Sequence, residues 1–213
     1  MPTTTIVHVV GEPSDQRTVE SVAAGLQRPQ VEQVVLHPGV PPGGAEMRAR
    51  ASGIFAHPTT TARWLRVAPA TRHGARTAAL LRALESALVQ DRPDVVVIYG
   101  ATDTALACAL AAAKQNIAIT YVGTGGEHAS AAHQLNRSIC ERLADTLLLR
   151  SDEAFARLSA EGVPDTRMHI VGHLHDAERA RAAGDVIVAH YVLQDPAGAA
   201  QWRRRFPRNS LHV

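Results

Sequence analysis

Six runs of β-branched and apolar residues recur along the chain without alternating polar positions: TIVHVVG (Thr5 to Gly11), VEQVVLH (Val31 to His37), DVVVIYG (Asp94 to Gly100), IAITYVG (Ile117 to Gly123), DTLLL (Asp145 to Leu149) and MHIVG (Met168 to Gly172). Strands covered on both faces carry this signature. Between the runs, apolar residues repeat at the helical period, which predicts helices over Asp15 to Leu26, Arg72 to Gln90, Thr102 to Lys114, Ser130 to Leu143 and Asp152 to Glu161. Strand and helix in alternation predict the α/β class, with a doubly wound, Rossmann-like parallel sheet.

Punctuation residues fix the ends of these elements. Pro93 disfavours the right-handed helical conformation at Arg92 and so stops a helix before the third run. Ser151, followed by Asp152 and Glu153, reads as a helix cap with acidic residues in the first turn, and Gly162 with Pro164 closes that helix. From Pro38 to Thr71 the periodicity is poor, which predicts a long loop with a short helix around Glu46 to Arg50. At the C-terminal end, DVIVAHY (Asp185 to Tyr191) reads as a seventh strand, followed by a helix from Pro196 to Phe206. The expected division is a first domain over residues 1–184 and a remnant of a second over 185–213.

Composition changes this picture little. Apolar residues make up 46% of the 213, charged residues 20% and aromatic residues 4%, so small aliphatic side chains must fill the core. A formal charge of +2 does not advertise a nucleic-acid or membrane partner. Cys108 and Cys140 sit in apolar helical stretches, where a thiol packs as a small hydrophobe, so a reducing, cytoplasmic setting is the expectation. No run resembles a signal peptide or a membrane span.

Ligands of doubly wound sheets gather at the carboxyl ends of the strands. That rule brings Gly11 to Asp15, Gly100 to Thr104, Gly123 to Ser130, Arg150 to Asp152 and Gly172 to Asp176 around one crevice. GEPSD after the first strand is neither a dinucleotide fingerprint nor a Walker loop, so no cofactor is expected. In GATDTAL, the amides of Thr102 to Thr104 suit an anionic or hydroxyl-rich ligand; a capping Thr102 with Asp103 complementing the helix dipole is the simpler account. GTGGEHAS offers Gly125, Gly126, Glu127 and His128, a carboxylate and an imidazole of the types used in acid-base chemistry, although a solvated loop explains them as well. His173, His175 and Asp176 have the composition but not the partners of a metal site, so no metal is expected. Arg203 to Arg205 suit phosphates or an acidic partner, and equally a solvated terminal helix. His8 and His169, inside apolar runs, read as satisfied core residues.

Taken in order, RPDVVVIYGATDTALA, ITYVGTGGEHA, AAHQLNR, RLAD and EGVPDTRMHIVG make the stretch from Arg92 to Gly172 resemble the non-hydrolysing bacterial UDP-N-acetylglucosamine 2-epimerases. VHVVGEPSD and DVIVAHYVLQ extend the likeness to both ends. The resemblance implies the N-terminal half of a two-domain GT-B arrangement, in which UDP-sugar lies between the domains. It also implies elimination of UDP across the C2 proton followed by re-addition, which needs an acid, a base and a diphosphate clamp.

Several groups at the family's motif positions differ here. The carboxylate of GDTTTAL is replaced by Ala101, with Asp103 two residues on; the Glu of VEAGLRT is Gly123; the glutamates of PEExNR fall near His133 and Gln134; Pro13 and Thr18 replace a basic pair. His190 and the pair Asn136 and Arg137 match.

Three readings follow. In the first, a diverged sugar-nucleotide isomerase or eliminating enzyme uses Asp103, Glu127, His128 and His190 as acid-base groups, with Gly11, Thr102, Thr104, Gly125, Gly126, Asn136, Arg137 and Ser151 lining a site for a nucleotide-sugar or similar small polar ligand. In the second, a non-catalytic half-protein forms a homo-oligomer or docks on a partner subunit. In the third, a binding module, as a lone chain or simple homodimer, holds nucleotide sugars without turnover.

Overall fold

The computed structural model describes residues 3–39, 59–123, 130–174 and 177–187. Strands β1 (Thr4–Val9), β2 (Val31–Pro38), β3 (Thr60–Leu65), β4 (Val95–Tyr99), β5 (Ala118–Val122), β6 (Thr146–Leu149) and β7 (Met168–Ile170) form one sheet in the order β3-β2-β1-β4-β5-β6-β7. Every pairing is parallel. The connecting helices are α1 (Gln16–Gly25), α2 (His73–Asp91), α3 (Asp103–Lys114), α4 (Ala131–Leu143), α5 (Asp152–Ala160) and α6 (Ala177–Ile187). Five of the six helices match the expected spans to within a residue at each end. The α/β doubly wound, Rossmann-like class is what the structure shows.

Period two along the strands divides the core into two layers. Ile6, Val35, Val95 and Val97 pack with Val19, Val22 and Leu26 of the α1 region and with Ala183 and Ile187 of α6. Val7, Leu36, Val96, Ile98, Ile119 and Leu147 face the opposite way, onto Leu84 and Leu88 of α2, Cys108 of α3, Cys140 of α4 and Leu158 of α5. Deleting the side chain of a residue such as Leu84, fully buried in the second layer, costs about 2–5 kcal/mol in comparable cores. Both thiols are buried and free. Burial pushes Cys140 up to about 12, with the nearby Glu141 carboxylate adding to the effect.

Turn chemistry follows the punctuation. Arg92, held out of the right-handed region by Pro93, adopts the left-handed one (φ 46°) and donates its N–H to Leu88 O. Gly162 closes α5 at φ +80°, and Ser151 caps that helix by accepting from the Ala154 N–H at 3.3 Å.

Two expectations are corrected. Part of the predicted loop Pro38 to Thr71 is the edge strand β3, paired with β2 from Gln33–Thr60 to Pro38–Leu65. Asp185, Val186 and Ile187 belong to α6 rather than to a strand, because the apolar side chains at 183 and 187, one helical turn apart, are buried against the α1 layer. The remainder of that predicted strand, the helix Glu46 to Arg50 and the helix Pro196 to Phe206 lie outside the described residues.

Helix α6 returns to the α1 side of the sheet. A methyl group built on Gly184 would stand 2.4 Å from the carbonyl oxygen of Gly25, so the two helices meet backbone to backbone. Beside this contact Arg28 pairs with Asp185 at 2.7 Å.

Candidate functional site

Strand order reverses between β1 and β4, and the loops leaving these two neighbours diverge to opposite faces of the sheet. They touch across the resulting crevice. A Cβ on Gly11 would lie 2.5 Å from Thr102 Oγ1 and 3.0 Å from Asp15 Oδ2, so only glycine permits this approach. Gly100, at φ +65°, turns the β4 loop toward α3. The Thr102 hydroxyl caps α3, accepting from the Ala105 N–H at 3.1 Å.

Behind Gly11 sits Asp15, 6% exposed, at the start of α1. Its Oδ2 accepts the Glu12 N–H at 3.0 Å. Burial raises this carboxyl to about 6; backbone amides of Glu12 and Gly11 oppose the rise, and the Glu12 carboxylate adds to it.

The helix starts on the other face supply a second group of polar side chains. Asn136 of α4, 5% exposed, donates from Nδ2 to Ala101 O at 3.2 Å and to Asp103 Oδ1 at 3.1 Å. The other carboxylate oxygen of Asp103 lies 3.3 Å from His73 Nδ1 at the first residue of α2. Ser130 caps α4 by accepting the His133 N–H at 3.3 Å, and its Oγ lies 2.8 Å from His133 Nδ1. His133 Nε2 faces Glu12 Oε1 at 3.8 Å, which brings the β1 loop to α4.

Below the crevice, a row of polar side chains runs through the α1 layer of the core. Gln33 Nε2 donates to Ala23 O at 3.0 Å, leaving Gln33 Oε1 to accept from His8 Nε2 at 3.0 Å; His8 Nδ1 must then accept the Tyr99 hydroxyl proton at 2.7 Å. Burial lowers His8 to about 4, against the Gln33 hydrogen bond, which favours the charged form. The same burial raises the Tyr99 phenol well above its ordinary range, and Asp15 adds to the effect. His8 is the satisfied core histidine that its apolar run predicts. His169, on the edge strand β7, is half-buried.

Of the residues singled out from sequence, Gly11, Thr102, Asp103 and Asn136 come together at the crevice. Thr104 is buried in the first turn of α3, Arg137 is half-buried one residue beyond Asn136, and Ser151 caps α5 farther along the same edge. Gly125, Gly126, Glu127, His128 and His190 lie outside the described residues. His173 faces Arg150, with Nδ1 2.7 Å from Nη2, and among the described residues no group of three or more metal-ligating side chains occurs. Sequence reading missed His73 as a site residue and brought in Glu12 and Asp15 only as part of the loop Gly11 to Asp15. Their common signal is a position just after a strand or at a helix start on the carboxyl edge of the sheet.

Gly123 bears on the missing carboxylates. Among the described residues the atom nearest to a Cβ there is Leu148 O at 3.5 Å, so packing against them does not exclude a side chain at the position where the resembling motif carries Glu. At Ala101, the backbone carbonyl is bound by Asn136.

Fold and crevice together define a doubly wound α/β domain with a polar, hydrogen-bonded mouth at its switch point. The family model for UDP-N-acetylglucosamine 2-epimerase matches residues 24–191, and the chain belongs to that family. The UDP-N-acetylglucosamine 2-epimerase of Methanococcus maripaludis is 32% identical over 103 residues, 47% of this chain and 28% of the relative. The Escherichia coli enzyme of the same name is 32% identical over 101 residues, 46% of this chain and 27% of its own length. Among solved structures, the Neisseria meningitidis UDP-GlcNAc 2-epimerase bound to UDP-GlcNAc superposes with a TM-score of 0.69 at 19% identity, over 96% of this chain and 54% of that one. The Methanocaldococcus jannaschii enzyme gives 0.66 at 21%, over 93% and 52%. The chain thus spans about half the length of these solved relatives, and at such identities the superpositions show the fold. No helix among the described residues is long and apolar enough to cross a membrane.

Proposed function

We propose that this chain binds a nucleotide-activated sugar at the switch-point crevice and acts on it as a diverged member of the epimerase family. One observation carries the reading: Asp103, fixed by the buried amide of Asn136, stands beside Thr102 and Gly11 where the β1 and β4 loops touch. Such a placement suits a hydroxyl-rich ligand, with the amides opening α3 available to an anion. Glu127, His128 and His190 complete the proposed acid-base set, and Arg137 supplies a nearby cation for a diphosphate.

Binding tests the reading directly. Saturation-transfer NMR of the full chain with UDP-N-acetylglucosamine and with UDP is expected to show contacts to both, weakened about tenfold or more in Gly11→Val, whose side chain would fill the approach to Thr102. No transfer from either ligand would defeat the proposal.

A further inference from the structure

The polar groups of the crevice differ in how many hydrogen-bonding positions they have left. Both oxygens of Asp103 are engaged: Oδ1 receives an amide hydrogen of Asn136 at 3.1 Å and Oδ2 faces His73 Nδ1 at 3.3 Å. Asn136 commits one amide hydrogen to Asp103 and the other to Ala101 O, so rotating the carboxylate would break a contact to a buried side chain. An ionised carboxylate only accepts, so Nδ1 of His73 carries the proton and the lone pair of the neutral ring sits on Nε2. His133, by comparison, has a neighbour at each ring nitrogen, Ser130 at 2.8 Å and Glu12 at 3.8 Å. The His73 side chain is 83% exposed, and its Nε2 meets no hydrogen-bond partner among the described residues.

We propose that His73 is the proton-carrying group of this crevice, with Asp103 as the positioning residue that fixes its tautomer. This rests on the nucleotide-sugar reading above and changes the role of Asp103 from acid-base group to support. The arrangement is that of a carboxylate-oriented imidazole. In the step it serves, the proton on C2 of the sugar moves to Nε2 and the C–H electron pair becomes the C1=C2 bond. The C1–O bond breaks, and UDP leaves with that bond's electrons; re-addition re-forms the C1–O bond and returns a proton to C2, restoring the sugar from the original face and inverting C2 when the proton arrives from the opposite face.

The experiment is deuterium incorporation at C2 of UDP-N-acetylglucosamine in D₂O, followed by NMR with the full chain alongside a binding titration. Wild type is expected to exchange, His73→Ala to bind the sugar nucleotide with unchanged Kd but exchange about 10²-fold more slowly, and added imidazole to restore part of the loss through the open position. Asp103→Asn should slow exchange about tenfold. Exchange at the wild-type rate in His73→Ala, or a wild type that binds the sugar without exchanging, overturns the proposal and leaves the binding reading standing. If the wild type does not bind, the nucleotide-sugar reading fails instead. The ¹⁵N-resolved tautomer of His73 then decides the positioning claim, with Nδ1–H dominant in wild type and lost in Asp103→Asn supporting it, and no difference between the two overturning it.

Discussion

Two rows of polar side chains run through this domain, one beneath α1 and one across the starts of α2, α3 and α4, and each contains an imidazole oriented by its neighbours. In the first row His8 is closed at both nitrogens, by Gln33 and by Tyr99, and is fully buried. In the second, His73 is held at one nitrogen by Asp103, and its side chain stands largely in solvent. A buried ring closed at both ends specifies packing; an exposed ring held at one end is oriented and still able to exchange a proton with a ligand. Between these two rings, burial and the count of committed nitrogens together separate structure from chemistry.

Substitutions can disrupt either row. The largest effect is expected from His8→Ala, which strands the Tyr99 hydroxyl and the Gln33 carbonyl in the core and leaves a cavity: about 3 kcal/mol lost in urea unfolding. A loss under about 1 kcal/mol would mean the row is not structural. Tyr99→Phe removes one donor and leaves His8 Nδ1 unpaired, for about 1–2 kcal/mol.

Acid sharpens the contrast between two buried groups of opposite sign. His8, lowered to about 4 from 6.5, binds its proton more readily in the unfolded chain, so its stabilising contribution is whole above pH 6.5 and is lost as pH falls toward 4. Asp15, raised to about 6 from 3.8, binds its proton more readily in the folded chain, so its cost is whole above pH 6 and is relieved as pH falls toward 4. Asp15→Asn should therefore add on the order of 1 kcal/mol at pH 7.5 and steepen the loss of stability between pH 6 and 4. A variant with an unchanged pH profile would contradict the burial of that carboxyl. The smallest effect belongs to His73→Ala, whose exposed ring should cost less than about 0.5 kcal/mol in the same assay.

Much of this was legible in the sequence. Unbroken apolar runs located six of the seven described strands; β1, β2, β4, β5 and β6 lie inside the sheet, and β7, at its other edge, still carries an apolar run although only Met168 is buried. TTARWL escaped notice because only Thr60 is buried and the first four residues are polar or small; Trp64 stacks on His37 at 4.5 Å between ring centroids. Asp185 to Ile187 was misread because an apolar run at the end of a helix looks like a strand until its register against α1 is known. At the site, the strand-end rule gathered the right loops, and the caps at Thr102, Ser130 and Ser151 followed from residue type. The contacts among His73, Asp103 and Asn136 join positions some 30 residues apart on separate helices, which no local spacing encodes.

The meeting of Gly25 with Gly184 has a kinetic consequence. It joins the first helix to the last described one, so its formation closes a loop containing most of the sheet, and the entropy of that closure is recovered only after β4 to β7 are in place. Docking of α6 should therefore come late in refolding, and its amides should exchange with solvent at lower opening energies than those of β1 or β4. Any side chain larger than hydrogen at position 184 would act as a wedge in that last step, slowing completion of the fold more than its assembly.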